Sequence, residues 1–372
     1  MGLRTTLGLK KKKKKAAPPR KVRPRPPISL QLAEGWIEPP FPIDIVYTWV
    51  DGNDAAHRAK LEKYAPEEAL ENPNVAGAER FRDNDELRYS LRSIELFAPW
   101  VNHIYIVTDN QRPDWLADHP KATVVDHSEI LDGQYLPLFN SSAIESALHH
   151  IPGLSEHYVF FNDDVMLLRP LSPAEVFTAG GAKFSFVSQS LIPEGAPSDG
   201  DNSFVWALKN TRDLCVATWG HCIPRRFQHI HRPMRRSVAE RCEAMFPERY
   251  AALRRNRFRS REDFLPVSYL HCFAAYIFGE AVLVESEPWI VDTSRASAPR
   301  KYQDILGQRG AAEARMAACF NDTHMSQPEL PDGDRRLSEF LRTYFPEPSQ
   351  FEQKTAGREP LSNLSSAVSP MT

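Results

Sequence analysis

The chain has 372 residues, of which 42% are hydrophobic and 25% charged, as in a soluble globular protein with a large core. Its net charge of −2 hides an asymmetry, because residues 1–27 carry eleven basic and no acidic residues, which leaves −13 on the rest. An acidic body argues against nucleic-acid binding, and the lack of an apolar run of 18 residues argues against a transmembrane helix.

The N-terminal segment, residues 1–40, is basic and rich in proline. Such a composition cannot build a core, and it predicts a disordered head. Two interpretations stay open: a solvated tail, or electrostatic docking of residues 4–25 on an anionic membrane. No apolar stretch typical of a signal peptide follows the basic residues, and the five cysteines are scattered without a CxxC pair. We therefore expect a cytoplasmic protein, peripheral at the inner face of the membrane under the second interpretation.

The first half of the chain predicts strands that alternate with helices. Runs of β-branched and aromatic residues predict strands at Ile43–Val50, His103–Thr108, Lys121–Val125 and Tyr158–Phe161. Helices are expected after the first strand, from about Arg80 with Asp83 or Asn84 as its N-cap, and over Leu138–Ile151. A polar cluster follows each strand, which is typical of a mostly parallel, nucleotide-binding α/β sheet.

The stretch Tyr158–Met166 is the most informative of these. Its apolar run predicts a buried strand that ends in Asn162, Asp163 and Asp164. Carboxylates inside a buried strand would be costly, so we expect both at its carboxyl end, facing a cleft. Two hard oxygen ligands there suit Mg²⁺, Mn²⁺ or Ca²⁺ bridging to a phosphate. The alternative is an ordinary turn.

The second half is less regular. No elements are predicted for residues 172–227. Helices are expected at Pro233–Phe246, Val267–Phe278 and Leu337–Phe345, with a helix or loop over Ile305–Cys319. Residues 254–261 are densely basic in an otherwise acidic body, and residues 353–372 are predicted to be a disordered tail.

Several of these blocks resemble the Stealth family of capsular and exopolysaccharide phosphotransferases, which is related to GlcNAc-1-phosphotransferase. The resemblance rests on IDIVYTWVDGND (residues 43–54), RFRDNDELRYSLRSIELFAPWVNHIYIVTDNQRPDWL (80–116), FNSSAIES and FFNDDVMLLRP (139–170), the block 229–271, FNDTH (320–324) and YFPEPSQFE (344–352). It spans residues 41–352, which we interpret as one catalytic domain.

The resemblance implies a fold and a reaction. The expected fold is α/β, with a mixed sheet similar to that of GT-A glycosyltransferases, flanked by helices and carrying helical insertions. The expected reaction moves a sugar 1-phosphate from a UDP-sugar such as UDP-GlcNAc to a hydroxyl of a glycan acceptor. It forms a phosphodiester and releases UMP.

The resemblance also implies roles for individual residues. His229 would accept the proton of the acceptor hydroxyl, and Arg259 would grip the transferred phosphate. Asp163 and Asp164 would hold the metal, with Asp322 as a third ligand, although Asp164 is the alternative base. His231 stands where many relatives carry proline, so the acting histidine stays open.

Further residues are expected to contact the donor or the acceptor. In the second block the alternative is a helix cap with i,i+4 pairs, and at least two of its five polar residues are expected to be structural. The full set is Trp49, Asp51, Arg82, Asp83, Asn84, Asp85, Arg88, Asp109, Asn110, Asn140, Ser141 and Asp263.

Two other functions compete with this one. A glycosyltransferase would transfer the sugar alone and release UDP from a similar site. A zinc-bound, non-enzymatic module could use the cysteines and histidines between residues 215 and 231, but their spacing matches no familiar zinc pattern.

Overall fold

The computed structural model describes residues 37–65, 83–311, 313–321 and 330–353. Most of the predicted head and tail, together with Arg82 and Asp322, lie outside these ranges. The strands are β1 Ile43–Thr48, β2 Ile104–Thr108, β3 Ala122–Asp126, β4 His157–Asn162, β5 Val165–Leu167, β6 Lys183–Leu191, β7 Arg225–Phe227, β8 Arg232–Arg235, β9 Ala281–Glu285, β10 Trp289–Asp292 and β11 Ala317–Asn321.

The α-helices in the described ranges are α1 Ala55–Tyr64, α2 Glu86–Phe97, α3 His127–Ile130, α4 Ser141–Glu145, α5 Ser203–Trp219, α6 Arg236–Met245, α7 Pro247–Arg255, α8 Cys272–Ile277, α9 Ala298–Gly307 and α10 Gly333–Tyr344. A π-helix at Pro266–His271 leads into α8. None of the helices in these ranges combines the length and the apolarity needed to span a bilayer.

The central sheet has the strand order β3-β2-β1-β4-β8. β1 pairs in parallel with both β2 and β4, and β2 pairs in parallel with β3. The edge strand β8 runs antiparallel to β4 and pairs Arg232 with Phe160. The predicted α/β class, a mixed sheet flanked by helices, is confirmed.

Both faces of this sheet are buried. Val46 and Phe160 are fully buried in the cluster on one face, whereas Ile45 and Phe161 are buried in the cluster on the other. Successive side chains of a strand point to opposite faces, which explains why these strands are apolar throughout. The carboxyl ends of the strands are therefore where polar groups can reach solvent and a ligand.

Two three-stranded sheets flank the central one, in the orders β10-β11-β5 and β7-β6-β9. β5 follows β4 after a turn and pairs antiparallel with β11, so that Cys319 lies opposite Val165. This pairing brings the end of β11 next to the turn that contains Asp163 and Asp164. β6, α5 and β7 lie within residues 172–227, for which the sequence predicted no elements.

The predicted helix at Pro233–Phe246 is partly wrong, because its first residues form β8 and the helix begins only at Arg236. Proline has no N–H to donate, so within a sheet it is confined to positions such as an edge strand, and β8 is one. β8 begins three residues after His229, so its pairing with β4 keeps the segment of His229 against the central sheet.

The predicted helix at Leu138–Ile151 is also interrupted. Its α-helical part is only α4, and a separate 3₁₀ turn covers Leu148–His150. The guanidinium of Arg254 donates 2.8 Å to the carbonyl oxygen of Ser146, which a continuous helix would use for its own ladder.

The predicted N-cap of the second helix is wrong by one or two residues. Asp85 is the N-cap of α2, with a left-handed φ of 69°. Asp83 accepts the backbone N–H of Asp85 instead, and Asn84 donates to the Glu86 side chain. The predicted apolar face of this helix is confirmed, since Leu87, Leu91 and Ile94 are buried.

Candidate active site

A cavity of about 720 Å³ opens at the carboxyl ends of β1, β2 and β4. Its wall includes side chains from β4 and the following turn, from the segment before β8, and from β11. Several predicted site residues meet there although they are far apart in sequence: Trp49, Asn84, Asp109, Ser141, Asp163, Asp164, His229 and Arg259.

The two aspartates that follow β4 line this cavity, as predicted. The Asp164 Oδ2 atom lies 3.3 Å from the Sγ of Cys319 and 3.7 Å from the Nε2 of His229. Its Oδ1 atom is buried and has no hydrogen-bond partner among the residues that the structure describes. Burial, and next the charge of Asp164, raise the pKa of Asp163 well above its usual range.

These residues fit a divalent cation. The unpartnered Oδ1 of Asp164 and the equally unpartnered, buried Oδ1 of Asn321 both belong to cavity-lining residues within the described ranges. Carboxylate and amide oxygens are the ligands that Mg²⁺ and Mn²⁺ accept, and a cation would also relieve the repulsion between Asp163 and Asp164. Asp322, the predicted third ligand, lies outside the described residues.

His229 and His231 have different surroundings. The His229 ring lines the cavity, and its Nδ1 atom accepts a hydrogen bond of 3.1 Å from the guanidinium of Arg232. His231 is fully buried, stacked on Phe161 at 5.6 Å and packed edge-on against Phe186. Burial lowers the pKa of His231 to about 3. Only the first of the two rings faces the cavity.

Arg259 faces the same cavity from the loop after α7. Its guanidinium donates to the hydroxyl of Ser141 at 3.0 Å and to that of Ser203 at 3.4 Å. Hydroxyls can release the guanidinium to an anion more readily than a carboxylate would. Burial lowers the pKa of Arg259, although Glu145 and Asp263 oppose this.

The loop that carries Arg259 is held by a buried carboxylate. Asp263 is 3% exposed and accepts hydrogen bonds of 2.8 Å from Asn140, from Asn256 and from the backbone of Ser260. Asn140 is fully buried and also caps α4. Neither residue lines the cavity, so their positions favour a supporting role over the predicted substrate contact.

A polar network surrounds Asp109 at the ends of β2 and β3. Asp109 accepts 2.9 Å from Lys60 and lies 3.6 Å from the Nδ1 of His57. Burial alone would raise the pKa of Asp109, but the nearby His57 ring and the hydrogen bond from Lys60 lower it to about 2. His127 also lines the cavity, and burial lowers its pKa to about 4. The neighbouring wall is the ring of Phe139.

The other residues that were predicted to contact the substrate line either the cavity or a second depression beside it. Trp49 lines the cavity and donates 3.2 Å to Asp83, while Asn84 lies between the cavity and a shallower depression of about 420 Å³. Asp51, Asp83 and Asp85 line only the depression.

Two further residues that were predicted to contact the substrate, Arg88 and Asn110, line neither the cavity nor the depression. Arg88 pairs with Asp85 at 3.0 Å and lies over the ring of Trp115. Asn110 adopts a left-handed turn, and its backbone N–H donates to Asp126. Arg82 is outside the described residues.

Sequence reasoning missed several charged residues at this site. Glu145 is 8% exposed, and although burial raises its pKa, the positive charges of Arg232, Arg259 and His229 oppose the shift. Arg226 and Arg232 both line the cavity. Glu145 belongs to the quoted FNSSAIES block, but nothing in its spacing separated it from a solvated helix residue.

Comparison with known families identifies the chain. Four family models match it in chain order: Stealth protein CR1, conserved region 1 (residues 41–68), CR2, conserved region 2 (80–184), CR3, conserved region 3 (228–276), and CR4, conserved region 4 (311–362). The chain belongs to the Stealth family. The expected family is thereby confirmed, and all four regions contribute residues near the cavity.

Curated Stealth relatives carry the name exopolysaccharide phosphotransferase. SCO6023 of Streptomyces coelicolor is 43% identical over 316 residues, 84% of this chain and 53% of the relative. CpsY of Mycobacterium tuberculosis is 37% identical over 322 residues, 85% of this chain and 59% of the relative. The chain thus spans only a little over half the length of these relatives.

Among solved structures, the galactosyltransferase LgtC in complex with donor and acceptor sugar analogues aligns with 81% of this chain and 96% of its own. The TM-score is 0.38 and the sequence identity 10%. A likeness this loose supports no conclusion about the site.

Proposed function

We propose that this chain is an exopolysaccharide or capsular phosphotransferase. It would transfer a sugar 1-phosphate from a UDP-sugar, for which UDP-GlcNAc is the first choice, to a glycan hydroxyl. The observation that carries the proposal is the convergence of Asp164, His229 and Arg259 on one cavity. A carboxylate pair for a metal, a cation for a phosphate and an imidazole are the parts that phosphoryl transfer needs.

The cavity also has the right extent for a nucleoside diphosphate. In the strand order β3-β2-β1-β4, His127 at the end of β3 and Asp164 after β4 are separated by three strand spacings, roughly 14 Å. We propose that the diphosphate lies near Asp163 and Asp164. The nucleoside would then extend toward His57, Asp109 and His127, where the apolar ring of Phe139 lines the cavity.

In this reaction the aspartate pair, Arg259 and His229 would each have a separate role. Mg²⁺ or Mn²⁺ held by Asp163 and Asp164 would, when bound, neutralise charge on the diphosphate. Arg259 would bind the nonbridging oxygens of the phosphate attached to the sugar. The acceptor oxygen attacks this phosphorus, its proton passes to His229, and the bond to the bridging oxygen breaks. The products are a phosphodiester and UMP.

The test is nucleotide release. Purified protein is incubated with UDP-GlcNAc, Mg²⁺ and a mixture of glycan acceptors, and UMP and UDP are quantified. We expect acceptor-dependent UMP, which should disappear with EDTA and in Asp164→Ala but persist in Asp118→Asn, a change at a fully exposed aspartate. Release of UDP instead would identify a glycosyltransferase and would refute transfer of the sugar phosphate.

We further propose a cytoplasmic location with peripheral contact at the inner face of the membrane through residues 4–25, which lie outside the described ranges. Each basic residue near an anionic surface contributes about 1 kcal/mol. Co-sedimentation with vesicles containing anionic lipid should fall when residues 1–27 are deleted. Unchanged sedimentation would refute the docking.

A further inference from the structure

Arg226, on β7, is a cavity-lining arginine whose guanidinium has no polar partner within the described ranges. The other arginines of the wall, Arg232 and Arg259, both donate hydrogen bonds to neighbouring side chains. Arg226 is half-buried, and its Nε–H is fully buried. Keeping such a group unpaired costs free energy, so an anion that reaches this part of the cavity would be bound by it.

Arg259 lies between this unpaired guanidinium and the end of the cavity proposed for the nucleoside. Its Nη2 atom donates to Ser141, two residues after Phe139, and its Nη1 atom to Ser203. Phe204 comes next in the chain and also lines the cavity, and the unpaired guanidinium lies over its ring, 5.8 Å from the centroid. The strand order agrees with this direction. β7 belongs to the sheet whose strand β6 packs against β8, which is at the opposite edge of the central sheet from β3.

Under the proposed function the donor leaves Arg226 unused. The phosphates of a UDP-sugar are assigned to the metal of Asp163 and Asp164 and to the guanidinium of Arg259. Arg226 instead stands three residues before His229, the residue proposed to meet the acceptor hydroxyl. The acceptor is therefore the reactant that would bring a negative charge to this end of the cavity.

We infer that Arg226 and Phe204 form an acceptor subsite, and that the acceptor is an anionic glycan. The inference rests on the proposed function. The attacked hydroxyl of the terminal sugar lies at His229, and a charged group beside the next sugar pairs with Arg226, whose planar fork suits phosphate and carboxylate oxygens. Phe204 is 37% exposed and offers an apolar ring to the sugar.

Either a phosphodiester or the carboxylate of a uronic acid would supply this charge. With a phosphodiester, the product of one transfer carries the group that Arg226 binds. That product is then the acceptor of the next transfer, and the glycan is extended stepwise.

The first test measures binding without turnover. The full chain is saturated with Mg²⁺ and UDP, which carries no sugar to transfer, and is titrated by calorimetry with three disaccharides. These are neutral chitobiose, two GlcNAc units joined by a phosphodiester, and glucuronic acid linked to GlcNAc. We expect at least one anionic disaccharide to bind with a Kd roughly 10- to 100-fold below that of chitobiose, the gain expected for one charge-assisted contact. The probe that binds identifies the source of the charge, and equal affinity for all three would overturn the inference.

A variant then assigns the preference to one residue. Arg226→Met should raise the Kd of the anionic probe to that of chitobiose and leave the Kd of Mg²⁺–UDP unchanged. The matched control is Arg225→Met, which removes the same charge from the preceding residue. Arg225 pairs with Glu285 and does not line the cavity, so the preference should persist there. A preference that survives in Arg226→Met, or a weaker affinity of that variant for Mg²⁺–UDP, would refute the acceptor contact.

Salt dependence tests the same contact in the wild-type protein, and so stays informative if Arg226→Met fails to fold. Raising NaCl from about 50 mM to about 500 mM screens an ion pair and should weaken binding of the anionic probe severalfold, with chitobiose unaffected. The same salt dependence for both probes would contradict the inference.

The outcomes separate the subsite from the proposed function. If UMP is formed but Arg226→Met binds the anionic probe like wild type, the phosphotransferase function stands and the subsite fails. If no UMP is formed but the preference depends on Arg226, the anionic subsite stands and the reaction must be sought with another donor.

Discussion

Replacing Asp263 with alanine tests whether this residue supports the loop of Arg259 or contacts the substrate. Its carboxylate accepts three hydrogen bonds, each of 2.8 Å, and is almost inaccessible to water. Hydrogen bonds to a charged group contribute about 1.5–3 kcal/mol each, and they are not additive within one network. Because the buried Asn140 and the half-buried Asn256 would lose this acceptor, we expect the free energy of unfolding to fall by about 3–5 kcal/mol.

Urea denaturation measures the loss of stability in this variant, and calorimetry measures whether the variant still binds Mg²⁺–UDP. Asp263→Ala should lower the unfolding midpoint strongly, whereas Glu262→Ala, at the exposed neighbouring position, should not change it. In folded Asp263→Ala protein, Mg²⁺–UDP should still bind, and turnover should fall because Arg259 loses its fixed position. The reasoning is refuted if Asp263→Ala is as stable as wild type but no longer binds UDP, since that pattern indicates direct substrate contact.

Three other predictions concern groups in or beside the cavity. Burial raises the pKa of Glu86 from 4.5 to about 7, so the folded protein binds a proton that the unfolded chain has already released. The free energy of unfolding should therefore fall as pH rises from 4.5 to 7, by at most about 3 kcal/mol, and Glu86→Gln should remove this part of the slope in urea titrations at several pH values. An equal slope in the variant would contradict the burial argument. Asp164→Asn should lower Mg²⁺-dependent UMP release on the order of 100- to 1000-fold, with binding of Mg²⁺ checked by calorimetry. Retained Mg²⁺ affinity would move the metal to other ligands. His229→Gln should reduce turnover by about 10²- to 10⁴-fold, whereas His231→Phe, a change inside an aromatic cluster, should leave turnover unaltered and stability within about 1.5 kcal/mol. Full activity of His229→Gln would reassign the base to Asp164.

The sequence predicted the parts of the site that coincide with the end of a strand. The buried run of β4 and the polar residues after it follow from elementary patterning, so Asp163 and Asp164 could be found without any resemblance. His229 and Arg259 could not, because a single histidine or arginine outside a regular pattern carries no signal of its own. These two residues are predicted only by the resemblance to the motifs of the Stealth family.

The remaining residues depend on contacts that no local pattern encodes. Arg232 and Glu145 look like solvated charges in sequence. Only the pairing of β8 with β4 brings Arg232 to the cavity, and only the position of α4 places Glu145 where it interacts electrostatically with Arg232 and Arg259. Asp263 and Asn140 belong to the same motifs as residues of the cavity wall, yet they hydrogen-bond to each other away from it. The helix expected at Pro233 failed because an edge strand tolerates proline as readily as the first turn of a helix does.

The pairing of β5 with β11 has a consequence for biosynthesis. Asp164 and Cys319, which meet across this pairing, are 155 residues apart in the chain. A ribosome that has produced β5 must therefore add the whole intervening sequence before β5 can pair with β11 and before Asn321 can line the cavity. Chains that still lack β11 should therefore bind Mg²⁺ poorly. The loop between β6 and α5 can vary in length without changing the order in which β5 and β11 are synthesised, because β11 is the last strand within the described ranges.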